Sequence, residues 1–397
     1  MSTAAIYCDC NSQGGVFSYT IRMLALFRSW GWKTLLISHT PRANGERETS
    51  AILCSHADQH VLVDSALSND SQVNRIENIL KRTRPDVFIP NYRKLPWAAA
   101  ARASRRQAIS VMGVCHSDHE SYYTGGLMRY APIISLYACP SRKTERELRA
   151  RLPARHHAKI RYIPHYVERT TDGYAAFDPD RFTVVYHGRL REEQKHVSEI
   201  IEIANRVCAE SESIHFKLIG DSQEGSLYSD LIARNGLTDR VSLLPPTDWA
   251  GIQQELANSQ LSILTSEYEG FCYTAAEALS VGLPVFAYNC GDVISDFVKT
   301  KVNGFVAPWG DRELIADNIR TLANEPEHWR SLSAEALNTA QTVFDFHTVS
   351  QLYKEGIENV NSAIQPWPRL RPTYIPDRGK SLRSFIDKSG RRLSFWE

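Results

Sequence analysis

Ser266-Glu-Tyr-Glu-Gly-Phe-Cys-Tyr-Thr-Ala-Ala-Glu277-Ala-Leu-Ser-Val-Gly-Leu-Pro-Val285 reads in turn as a strand end, an acidic loop, a helix and the start of another strand. Leu261 to Leu264 and Pro284 to Ala287 supply the flanking strands, both apolar without alternation, as strands buried on two faces are. A helix between two such strands is the crossover unit of a parallel sheet. Glu269 falls in the loop and Glu277 about two turns into the expected helix, offset by about 80° and roughly 10 Å at about 1.5 Å per residue. Carboxylates placed like that grip different parts of an extended ligand. Between them, the free N–H groups of Gly270, Phe271 and Cys272 at the expected helix start form an anion site that a diphosphate fits.

Working outward, His187-Gly-Arg-Leu-Arg-Glu-Glu-Gln-Lys195 places a second constellation at a strand end. Gly188 permits close approach, and Arg189 and Lys195 are left as two cations able to neutralise charge on a leaving diphosphate. Near the amino terminus the strand Ala4 to Cys8 runs into Gly14-Gly15 and a helix from Val16 to Trp30. Its stripe Phe17, Ile21, Leu24 and Ala25 is the face expected to pack on a sheet. The two glycines offer further backbone donors at that helix start.

Strand-length apolar runs alternating with helices recur through the chain, near Leu35 to Ser38, Val87 to Pro90, Ser110 to Cys115, Leu136 to Cys139 and Ile160 to Ile163, with helices near Val73 to Arg82 and Arg142 to Arg151. After a polar stretch from Tyr166 to Pro179, which includes Thr170 and Thr171, a second series begins: Phe182 to Tyr186, His215 to Ile219, Val241 to Leu244, then the strands already named and Gly304 to Val306. The organisation expected is α/β: a first domain over 1–168, a second over 180–344, a helix over 345–363 crossing back to the first domain, and a basic, aromatic tail over 364–397. Ligand in open α/β sheets sits at the carboxyl ends of the strands, so the two halves should face each other across a cleft.

With 43% apolar and 23% charged residues, the chain of 397 residues has the composition of globular domains. Its 46 Lys and Arg against 45 Asp and Glu exclude the global positive field of a non-specific nucleic-acid binder. No run approaches the ~18 apolar residues of a membrane span, and the first residues do not read as a signal peptide; a cytoplasmic protein is expected. The scattered cysteines, among them Cys10, lack zinc or redox spacing and read as reduced core residues. His116-Ser-Asp-His119-Glu120 crowds metal-ligand types, but its His pair has no third ligand at a recognisable spacing.

These segments resemble the retaining glycosyltransferases of the GT-B fold, specifically the family 4 grouping with its E-x7-E motif. The resemblance is carried by Gly188-Arg-Leu with Gln194-Lys195, Leu218-Ile-Gly-Asp221, Glu269-Gly-Phe, Glu277-Ala-Leu, Gly282-Leu-Pro-Val285 and Asn303-Gly-Phe305, and more loosely by Gly14-Gly15, Arg84-Pro-Asp-Val87, His116 and Ile163-Pro164. It implies two Rossmann-like domains, the first for the acceptor and the second for a nucleotide-sugar donor, with a UDP-hexose favoured. It also implies that Glu269 holds the sugar hydroxyls, Glu277 the ribose, and Arg189 and Lys195 the diphosphate. His116 would lie over the transferred sugar, and Gly14-Gly15 would close on the phosphate. Gly188, Gly270, Phe271 and Cys272 would complete the donor site.

No metal and no cofactor beyond the nucleotide-sugar substrate is expected, since side-chain cations stabilise the leaving group. The acceptor expected is a carbohydrate or a lipid-linked glycan, in glycan or glycoconjugate biosynthesis. Cys272 stands where the family often has Gly, and Asn289-Cys-Gly-Asp-Val-Ile-Ser-Asp296 replaces its commoner Gly-Gly-x-x-Glu. The tail mixes basic and aromatic residues as membrane-surface segments do, which would put the protein peripherally at the inner face of a membrane; disorder, or packing back on the first domain, are the alternatives. Rival functions are a sugar phosphorylase or nucleotide-sugar epimerase on the same fold, or a non-catalytic carbohydrate-binding subunit.

Overall fold

The computed structural model describes residues 1–9, 14–169, 172–222 and 224–361. The expectations for Cys10, Thr170, Thr171 and the tail from 364 lie outside them. Two parallel sheets form the scaffold. The first contains β1 (Thr3–Tyr7), β2 (Lys33–His39), β3 (Gln59–Val63), β4 (Val87–Ile89), β5 (Ser110–Val114), β6 (Ile134–Cys139) and β7 (Ile160–Tyr162), in the order β3-β2-β1-β4-β5-β6-β7. The second contains β8 (Phe182–His187), β9 (Ile214–Ile219), β10 (Val241–Leu244), β11 (Leu261–Leu264), β12 (Val285–Tyr288) and β13 (Gly304–Ala307), in the order β10-β9-β8-β11-β12-β13.

Each sheet reverses its strand order once, between β1 and β4 and between β8 and β11, the switch points at which doubly wound sheets open a crevice. The chain segments leaving those strands carry Asn91 in the first half and the candidates Gly188 and Glu269 in the second. His116 follows β5, the next strand out.

The periodicity of the first helix found part of its buried face. Over Gly15–Ser29, Phe17 and Leu24 of the expected stripe are buried, Ile21 and Ala25 only half-buried, and Tyr19, Met23, Leu26 and Phe27 are buried as well. The reason is that this helix is covered on two sides. Ile21 packs with Ile52 from the helix Asn44–Ser55, and Tyr19, Met23 and Phe27 face the sheet. The edge strand β3 opens on polar Gln59 and His60, and the helix Lys94–Ala103 carries a run of small alanines in place of a periodic stripe, so neither was predicted.

The stretch after Ile163 is less free than its polar composition suggests. Tyr166, Val167 and Ala175 are buried, Val167 N–H donates to Phe344 O at 3.1 Å and Ala175 N–H to Val281 O at 2.8 Å. The final helix, Phe346–Asn361, returns to the first sheet, where Val349, Tyr353 and Ile357 share a core with Ile6, Val87, Met112 and Leu136. Gly356 lets the helix lie close to β6: a Cβ on it would come to 3.0 Å from Leu136 Cδ2, so that side chain would have to shift.

Candidate functional site

The loop after β8 and the loop after β11 are zipped together before any ligand is considered. Gln194 donates through Nε2 to Tyr268 O at 3.0 Å, Glu267 N–H donates to Gln194 O at 3.0 Å, and Thr265 Oγ1 donates to Lys195 O at 2.7 Å. This brings Lys195 and Glu269 into a direct ion pair, with side chains only 12% and 10% exposed. Burial alone would lower the Lys195 pKa, but the Glu269 carboxylate outweighs it and the ammonium is held above its usual range. Lys195 is therefore not the open cation expected from sequence. It is bound to Glu269, so a ligand would meet the pair as a unit. Arg189 keeps the expected freedom: it is exposed and donates to Gln194 Oε1 at 3.2 Å.

A second correction concerns the helix between the two glutamates, which begins at Tyr273 and not in the preceding loop. Glu277 consequently lies one turn in, and the helical estimate of its separation from Glu269 does not apply, because Glu269 is off the helix. The N–H groups free at the helix start belong to Tyr273 and its successors rather than to Gly270, Phe271 and Cys272. Cys272 caps the helix at φ 73°, in the left-handed region that glycine takes without strain, which gives the glycine expected at this position a physical meaning. Gly188, at φ 136°, borders the same terminus: a Cβ there would lie 3.7 Å from Thr274 Oγ1. Gly15 approaches from the first half, its Cβ position 3.8 Å from Tyr273 Cδ2, while Gly14 is the extended cap of the first helix. Gly15 and Gly188 thus converge on the helix start, and Arg189 follows Gly188 in the chain.

Gly270 has another function. A Cβ on it would come within 2.3 Å of His116 O and 2.8 Å of Ser117 N, so the two halves touch backbone to backbone there. Phe271, buried beside it, packs edge-on against His165 with ring centroids 4.8 Å apart.

His116 Nε2 lies 2.9 Å from Asn91 Oδ1. The amide of Asn91 is oriented by its own Nδ2, which donates to Tyr7 O at 2.6 Å. That leaves Oδ1 as the acceptor, so the proton of His116 sits on Nε2 and Nδ1 is a bare acceptor. Burial depresses the His116 pKa to about 3, so the ring is neutral at physiological pH. Asn91 was missed by sequence reasoning. It is buried at φ 53° directly after β4, and an asparagine closing a strand was the readable signal.

Two further residues were missed. Glu277 accepts from His187 Nε2 through Oε2 at 3.0 Å and from Arg22 Nη2 through Oε1 at 3.0 Å. Burial pushes the Glu277 carboxyl up, but the His187 hydrogen bond and the Arg22 charge together hold it below the ordinary range. Arg22 was legible in principle as a charge interrupting the buried stripe of Tyr19, Met23 and Leu26.

Of the metal-ligand types near His116, Asp118 pairs with Lys143 and accepts from Tyr123 Oη, Glu120 pairs with Arg151, and His119 Nδ1 bonds Ser121 Oγ. Among the described residues no three His, Cys, Asp or Glu side chains converge as metal ligands would. Also among them, no helix is long and apolar enough to cross a membrane.

Two family models match the chain: glycosyl transferases group 1 over residues 170–339 and glycosyltransferase family 4 over residues 13–171. Lipopolysaccharide 1,6-galactosyltransferase of Salmonella typhimurium is 31% identical over 148 residues, 36% of this chain and 40% of that protein. A glycosyltransferase of Haemophilus influenzae without a characterised activity is 28% identical over 30% of this chain and 33% of its own length. The matches thus span well under half of these relatives. Among solved structures, Anabaena HepE in complex with UDP and glucose superimposes with a TM-score of 0.74 at 17% identity, over 90% of this chain and 100% of that one. The galactosyltransferase WaaB without ligand gives 0.69 at 18% identity, over 90% and 99%. At such identities the likeness establishes the two-domain fold.

Proposed function

The chain belongs to the family 4-like glycosyltransferases of the GT-B fold, and from that premise we propose that it transfers a hexose from a uridine diphosphate donor to a sugar-containing acceptor, with retention and without a metal. The observation that carries this reading is the convergence of Gly15 and Gly188 on the start of the helix Tyr273–Ser280, with Arg189 next in the chain after Gly188 and the Lys195–Glu269 pair in the adjoining loops, at the switch point of the second sheet. Breaking a glycosyl phosphate leaves negative charge on the diphosphate and positive charge on the sugar ring. Stabilising the departing charge is the protein's main task.

In this reading the diphosphate lies against Arg189 and the N–H groups at the helix start, both preset before the bond breaks. Glu269 accepts from sugar hydroxyls, and Lys195, held against it, fixes the carboxylate while adding positive charge beside the phosphates. Glu277 accepts from the ribose. The bare Nδ1 of neutral His116 accepts a hydrogen bond from a hydroxyl of the transferred sugar on the opposite side, and Asn91 maintains that tautomer. The acceptor enters from the first half of the cleft. Its oxygen attacks on the face the diphosphate leaves, and its proton passes to the departing phosphate oxygen.

The relatives that are lipopolysaccharide galactosyltransferases favour a glycan acceptor in envelope or surface polysaccharide synthesis. The test is release of UDP from UDP-hexoses in EDTA, with acceptor and without. Wild type should turn over and Arg189→Ala, whose exposed side chain contributes little to stability, should lose at least ~100-fold in kcat. Near-normal turnover by Arg189→Ala would refute the leaving-group assignment.

A further inference from the structure

Arg22 belongs to the first half of the molecule, yet its charge is delivered to the second. Its helix packs on the first sheet, and Tyr166 Oη donates to Arg22 O at 2.8 Å, which fixes the backbone. The side chain then crosses to Glu277 on the helix Tyr273–Ser280, with only 12% and 11% of the two side chains exposed. On the way its guanidinium stacks 4.6 Å from the ring centroid of Tyr273 and 5.7 Å from that of Trp249, both in the second half. A second ion pair between the halves, Arg146–Asp292 at 3.9 Å, is 62% and 64% exposed and contributes little.

The division of labour at Glu277 is specific. One carboxylate oxygen is held by His187, from the same half, and the other by Arg22, from the opposite half. A carboxylate with both oxygens held cannot swing about its last torsion, and each oxygen retains a lone pair for a ligand. The same guanidinium faces one small cavity at the junction of the halves, lined also by Tyr19, His165, Tyr273 and Tyr353.

We infer that Arg22 is a positioning residue of the donor site: supplied from across the cleft, it orients Glu277 toward the ribose diol only when the two halves are together, and so couples donor recognition to domain closure. The inference rests on the donor-site reading above, with Glu277 as the ribose ligand. Removing Arg22 frees one carboxylate oxygen to rotate while His187 keeps the other. The cost then falls on ligands that bear the diol.

The experiment is a ligand cycle on the full-length chain: dissociation constants of UDP and of its 2′,3′-dideoxy analogue for wild type, Arg22→Met and Arg22→Lys. Wild type should prefer UDP. Arg22→Met should erase about tenfold of that preference, the worth of a charged hydrogen bond, and raise the donor KM more than it lowers kcat. Arg22→Lys, which restores a charge and a single donor, should recover part of the preference, and it keeps the test open if Arg22→Met does not fold. Equal weakening of both ligands, with the preference intact, would show that Arg22 only holds the halves together and would overturn the inference. If wild type binds UDP but does not prefer it to the dideoxy analogue, Glu277 is not the ribose ligand and the inference falls while the glycosyltransferase reading stands. If wild type binds neither nucleotide, the donor-site reading itself fails, and this inference with it.

Discussion

Substituting Glu269 by Gln strands the ammonium of Lys195 in a site where only 12% of its side chain meets water. Removing one partner of a buried ion pair costs about 3–5 kcal/mol, because the remaining charge is left without compensation. At 2–4 °C per kcal/mol for domains of this size, the melting point should fall by about 6–20 °C. Lys195→Met should produce a loss of the same order, since it leaves the carboxylate alone against burial. The double variant Lys195→Met/Glu269→Gln removes both charges and should melt well above the sum of the single losses, with a coupling of about 1–3 kcal/mol. Differential scanning calorimetry of the four proteins at pH 7.5 measures this directly. The double variant should remain inactive however stable it is, since both groups are assigned to the ligand. Strictly additive losses, or a Glu269→Gln protein melting within a degree of wild type, would refute the buried pair.

Other expectations follow from the same geometry. Gly270→Ala forces a Cβ to within 2.3 Å of His116 O, so the halves must move apart; small-angle scattering should show an expanded molecule, and UDP release should fall at least ~10-fold, whereas unchanged scattering would contradict the close contact. The neutral ring of His116, with its pKa depressed by burial to about 3, contributes stability that is complete above its unfolded value near 6.5 and is lost as pH falls toward 3. His165, also depressed, adds to the same trend. The melting point should thus drop between pH 6.5 and 4.5, and His116→Asn should flatten that drop; a parallel profile would dismiss the assignment. Glu277, held below the ordinary range, contributes stability present above about pH 4.5 and lost below it. Glu277→Gln should weaken acid sensitivity in that lower window alone.

The alternation of apolar runs and helices located nearly every central strand, because such strands are buried on both faces and are predominantly apolar. It failed at β3, an edge strand that opens on polar Gln59 and His60, and in the helix Lys94–Ala103, where small residues replace a stripe. Residues carried by a local motif, such as Arg189, Glu269 and Glu277, were legible because spacing and residue type coincide in one short segment. Residues whose significance lies in a long-range contact were not. Arg22 meets Glu277 across 255 positions, His187 meets it across 90, and Asn91 meets His116 across 25; no pattern in one sequence expresses those separations. The helix start after Cys272 was misplaced for a different reason: the left-handed turn at a cysteine delays the helix, and cysteine does not announce that conformation as glycine does.

The central claim is that the second sheet's switch point is a nucleotide diphosphate site, and the most direct test is the melting point of the wild-type chain with UDP, GDP, ADP, TDP and CMP, each in EDTA. A ligand at 100 times its dissociation constant adds about 2.7 kcal/mol, which here is a shift of about 5–11 °C. The account predicts that shift with UDP, undiminished by EDTA and abolished in Arg189→Ala. No shift with any of the nucleotides would contradict it.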